Sequence, residues 1–234
     1  MATRFELRNT LCITLLVHVP LVEIHGTWSV HAMEDEQGLM MGNARAYPVY
    51  RNEGGDVGSV ISVAELLVGC GELWVDATVD LYAELSRADD VRYAATLFPR
   101  DLFPLALFSG GGSYLRATEL PQDGDKLASL LPMTVMVEAP VTDDLLSRAP
   151  ELLSRATWGQ LAWMALTWPA IPELDLRSEQ ARTGVQACFN VDANHAPAAS
   201  HTVYAHVHPY DDERPHHLAR QIGHNIVGPS EHGW

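Results

Sequence analysis

The stretch ELWVDATVDLYAEL, residues 72–85, decides the fold class. Leu73, Val75, Ala77, Val79, Leu81, Ala83 and Leu85 alternate strictly with Glu72, Trp74, Asp76, Thr78, Asp80, Tyr82 and Glu84. At 3.6 residues per turn these aliphatics would scatter around a helix. At a period of two they line one face of a strand and leave the acids on the other. The run is longer than the usual strand of about 5–6 residues, which predicts a bulge or bend within it.

Working outward, the same period recurs. Residues 105–109 and 114–118 flank Gly110-Gly111-Gly112 and read as a hairpin, and 133–139 read as a strand ended by Pro140. Strands follow at 185–192 and 201–208, and Pro215 is well placed in the first turn of a short terminal helix. Upstream, 46–50 form a short strand. Leu11, Ile13, Leu15, Val17, Val19 and Leu21 alternate in another. Arg4, Arg8 and Val30-His31-Ala32 give that segment the outline of a signal peptide, but Glu6, His18 and Pro20 interrupt it and favour the strand.

One region has a helical period. Leu145, Ala149, Leu152, Ala156, Gly159, Trp163 and Leu166 recur at steps of three and four, after acids at 143 and 144 that suit a helix N-terminus. Pro150 is expected to divide this region and Pro169 to stop it. Strands do not alternate regularly with helices, which argues against a doubly wound parallel fold. The expectation is a mainly β chain: one domain over 1–234, a β-sandwich with the single jelly roll as its specific form, a helical insertion near 143–168 and a His-rich C-terminal tail.

Thirty acids against 15 bases give a net charge of −15, so a broad nucleic-acid-binding face is disfavoured. Cys12, Cys70 and Cys188 are far apart and form no CxxC, which fits neither a disulfide framework nor a zinc knuckle. No apolar run is long enough for a transmembrane helix. A soluble protein of a reducing compartment or a virion is expected.

Chemistry concentrates at the C-terminus. His206 and His208 share a strand face, Glu213 follows, and His217 and His224 lie seven apart. Imidazole and carboxylate bind zinc, iron and related metals. The string His206-x-His208-x4-Glu213 resembles the first metal-binding motif of the cupins, which implies three metal ligands on a jelly roll. The glycine which that family places six residues before the first histidine is Ser200 here, and 21 residues leave no room for its second motif. Metal candidates are therefore His206, His208, Glu213 and His224, with one transition metal ion such as zinc or iron.

Other features read as structure. Ser109–Ser113 is a turn, Cys70 sits between two glycines before a strand, and Asp76, Asp80 and Glu84 form a polar strand face. Trp163 belongs to the apolar stripe, whereas Trp158 and Trp168 lie off it and are candidates for contact with another subunit. The functional expectation is a structural or assembly protein that self-associates into a homo- or hetero-oligomer, such as a jelly-roll capsid subunit of a virus or phage particle, with no cofactor. The alternative is a metal-dependent, cupin-like enzyme or small-molecule binder using the C-terminal histidines.

Overall fold

The computed structural model of the protein describes residues 45–141 and 144–233, which belong to one unit spanning Gly42–Trp234. The strand expected at 11–21 lies outside these residues. Ten strands are formed: β1 (Arg45–Asn52), β2 (Glu72–Leu73), β3 (Thr78–Leu85), β4 (Leu107–Gly110), β5 (Ser113–Leu115), β6 (Met133–Pro140), β7 (Trp158–Trp168), β8 (Glu179–Val191), β9 (Pro197–Val207) and β10 (Glu231–His232). Five α-helices join them: α1 (Val57–Val68), α2 (Ala88–Leu97), α3 (Gly124–Ala128), α4 (Leu145–Leu153) and α5 (Glu213–Gln221). All ten strands lie in one sheet, in the order β10-β1-β9-β8-β7-β3-β6-β4-β5 with β2 also beside β7, and their pairings are antiparallel. The chain is mainly β, as expected. Among the described residues the strands make one sheet and not the two facing sheets of a sandwich.

The deciding stretch does bend. Residues 74–77 leave the sheet between β2 and β3, and the Trp74 N–H donates to Ala165 O at 3.0 Å, where Ala165 itself turns to φ +61°. Val75, placed by alternation on the buried side, is therefore exposed at the bend. Beyond it the pattern holds: Val79, Leu81, Ala83 and Leu85 are buried, and Asp80, Tyr82 and Glu84 look out from the opposite face.

The helical insertion is corrected. Helix α4 ends at Leu153, and Trp158–Trp168 is strand β7, paired with β3 on one side and β8 on the other. The segment WGQLAWMALTW carries no charge, so it satisfies both periods at once. A strand covered on both faces loses the polar alternation that marks a half-buried one, and only its neighbours then decide. Pro150 sits inside α4 and does not divide it. Two helices were not anticipated. In α1 Asp56 accepts from the Gly58 and Ser59 N–H groups as N-cap, and α2 carries Asp89 and Asp90 in its first turn. The C-terminal helix is as expected, with Pro215 in its first turn.

All of the helices pack into the same core. Val60, Ala64 and Leu67 of α1, Val91 and Ala94 of α2, Leu127 of α3, Ala149 and Leu152 of α4, and Leu218 of α5 join Leu81, Val135, Leu161, Trp163, Ala187 and Val203 of the sheet. The opposite face has a smaller cluster of Ala46, Cys188, Val191, Ala193 and Tyr204, with Trp158 packed against it. No described helix contributes to that second cluster. No helix among the described residues is long and apolar enough to cross a membrane.

Leu81 is fully buried at the centre of β3, whereas Leu66 on α1 is 58% exposed. Leu81→Ala is expected to cost about 2–5 kcal/mol of stability, and Leu66→Ala to stay within about 0.5 kcal/mol of the parent, both read by urea denaturation.

Candidate functional site

On the face away from the helices, the central strands bury polar side chains in a row. His206 Nε2 of β9 lies 2.9 Å from Gln186 Oε1 of β8, and Gln186 Nε2 donates to Gln160 Oε1 of β7 at 3.0 Å. His195 Nε2 lies 2.6 Å from the same Gln160 oxygen. An amide oxygen only accepts, so both imidazoles hold their proton on Nε2 and present Nδ1 as a lone pair. Burial pushes His206 down to about 4, which keeps it neutral near pH 7. Its Nδ1 has no hydrogen-bond partner. His195 reaches the row from the β8–β9 turn, where it adopts φ +63° and its ring packs on Trp158 at 5.6 Å. Asp192 holds that turn by accepting from the Asn194 and Ala196 N–H groups at 2.9 and 2.8 Å. The row offers neutral hydrogen bonding across three strands, which fixes their register.

Beyond β7 the same face turns acidic. Asp80 of β3 stands directly opposite Glu138 of β6, and on its other side pairs with Ala162 of β7. Burial first, and the Glu138 charge second, push Asp80 up to about 6; the Thr78 hydroxyl at 3.4 Å and the Arg182 charge pull it back. Tyr82 is raised by the same burial and by both acids. Tyr82, Met136, Trp158 and Met164 are half-buried there. Of the acids read on this strand face, Asp76 lies in the exposed bend and Glu84 accepts from the Thr157 hydroxyl at 2.8 Å. Asp80 is left with a carboxylate from another strand, a pairing that only register could reveal.

The C-terminal candidates are dispersed. Strand β9 ends at Val207, so His206 is buried in the polar row while His208 lies past the strand end, exposed, with its ring 5.4 Å from that of Tyr210. Glu213 opens α5 and is exposed, and His224 packs on Tyr50 at 5.1 Å. Among the described residues no group of three or more His, Cys, Asp or Glu side chains is arranged to hold a metal ion. Trp158 lies on the helix-free face, but Trp168 is fully buried in the core, its indole N–H donating to His206 O at 2.8 Å. This corrects its place as a surface contact: past the Ala165 turn, Leu166 and Trp168 both join the core on the helix side of the sheet.

What the tail does contain is a buried arginine. Arg214 Nε meets Asp211 Oδ2 at 2.5 Å and Glu179 Oε2 at 3.4 Å, and its terminal nitrogens donate to the Pro169 and Arg177 carbonyls. It thereby ties α5 to both ends of the β7–β8 connection. Burial pushes Glu179 up to about 7; the His208 N–H at 2.6 Å and the Arg214 charge oppose this, and Asp211 adds to it. With these geometries in view, comparison with known proteins adds nothing: no family model, curated protein or solved structure matches the chain.

The Glu179 carboxyl is raised from 4.5 in the unfolded chain to about 7 in the fold. The native state then holds the extra proton between those values, so stability falls as pH rises through that window. The parent is expected to lose on the order of 3 kcal/mol from this group between pH 4.5 and 8. Glu179→Gln should lack that component, read as the difference between the two proteins in urea denaturation across pH.

Proposed function

We propose that the chain is a structural or assembly protein that joins protein chains through the helix-free face of its sheet. The observation that carries this is the β3–β6 part of that face. There Tyr82, Met136, Trp158 and Met164 stand half-buried around Asp80 and Glu138, and no described helix packs over them. Aromatic residues and methionine are enriched where protein surfaces meet. Trp158, marked from sequence as a subunit contact, belongs to this face. The virus or phage capsid form of the reading leaned on a jelly roll; with the described strands in one sheet, the proposal is held at the level of assembly.

The test is the mass of the full chain by light scattering over a concentration range, with metal content read on the same sample. The expected result is a mass above the 25.7 kDa of one chain that returns toward one chain in Met136→Lys without change in the circular dichroism spectrum. A single-chain mass at every concentration, or an assembly indifferent to Met136→Lys, overturns the reading. If that single chain carries about one metal ion, lost in His208→Ala, the metal-dependent alternative takes its place.

A further inference from the structure

The assembly face carries unpaired charge of both signs. Glu138 and Arg182 are exposed, and among the described residues neither forms an ion pair. Asp80 has only the 3.4 Å bond from Thr78. The acids stand on β3 and β6, to one side of β7, and Arg182 is on β8, to the other, close enough for its charge to be felt at Asp80. Between them Ala162 keeps β7 low where it pairs with Asp80. Neighbouring strands are about 4.8 Å apart and stacked sheets about 10 Å. A two-fold axis running along β7 therefore carries β8 of one copy over β3 of another. A surface with acids on one side of such an axis and a base on the other is complementary to itself, because each contact is made twice.

We infer that the partner at this face is a second copy of the same chain, docked about a two-fold axis along β7 so that Arg182 of each copy meets the Asp80–Glu138 pair of the other. This rests on the assembly reading above and names its partner. Tyr82, Met136 and Met164 supply the apolar contact around the crossed charges. The charges set the register of the two sheets, since a shift along the strands would leave both acidic pairs facing apolar side chains. A partner of different sequence would need to bring its own cation; here the face already holds one.

The experiment uses two charge-reversed full-length chains, Arg182→Glu and Glu138→Arg, both at exposed positions so that folding is preserved. Each alone places like charges in both contacts, and its dimer is expected to weaken at least about tenfold. Mixed in equal amounts, the two restore opposite charges in both contacts. In one, the two substituted side chains face each other with their signs exchanged; in the other, the unaltered Arg182 faces the unaltered acidic pair. The expected result is a mixed dimer of near-parental affinity by light scattering and sedimentation. If both variants dimerise like the parent while Met136→Lys does not, the two-fold pairing is overturned and the assembly reading stands. If both dissociate and the mixture stays monomeric, the pairing is likewise overturned. A monomeric parent removes both.

Discussion

The structure depends on β7 being covered on both faces. On one side Leu161 and Trp163 meet the helices, and on the other Gln160 is held by Gln186 and His195. A strand in that position must satisfy apolar packing above and polar bonding below without a single charged side chain of its own. Its partners on either side, β3 and β8, are fixed by it, and each in turn presents a core face and a second face. The distinction between a helix-packed face and a helix-free face, on which the proposed function rests, follows from this one strand.

The two faces differ in how their burial is stabilised. The helix side is an apolar core, where transfer from water and close packing dominate. Gly159 shows how tight it is: a methyl group there would come within 2.4 Å of a Leu153 side-chain carbon and 2.9 Å of the Tyr82 carbonyl oxygen. The other face uses hydrogen bonds at its buried end and exposed charge at its open end. His206, Gln186 and Gln160 gain from low dielectric because each is bonded. Asp80 and Glu138 share an environment in which two negative charges are costly, and the shift at Asp80 records that cost.

Some of this was legible in the sequence and some was not, for reasons that can be located. Strand β3 could be read because one of its faces is buried and the other half-exposed, and the hairpin around Gly111 and Gly112 because both glycines take positive φ. Helix α1 carried its signal, Asp56 followed by Val57, Val60, Ile61, Ala64, Leu67 and Val68 at helical spacing, and went unread. Strand β7 could not be read, since an uncharged segment buried on both sides fits either period. At the site, Gln186 and His206 lay in strands that were anticipated. Their contact with each other, like that of Asp80 with Glu138, is a matter of register between distant segments, which local pattern does not encode. The histidine spacing that suggested a metal motif assumed one strand through 208; the strand stops one residue earlier and the second imidazole leaves the sheet.

Strand β1 lies between β9 and β10, the first strand of the described chain inserted between its last two. On a ribosome, β1 therefore emerges with neither neighbour yet made, and it stays unpaired while almost all of the remaining sheet is translated. Helices α1, α2 and α4 can gather against β3, β6 and β7 in that interval, but the sheet reaches its final width only when the tail is released. Synthesis order and spatial order run against each other here, which places this chain among those whose folding finishes after translation and whose nascent form exposes an open strand to other chains in the meantime.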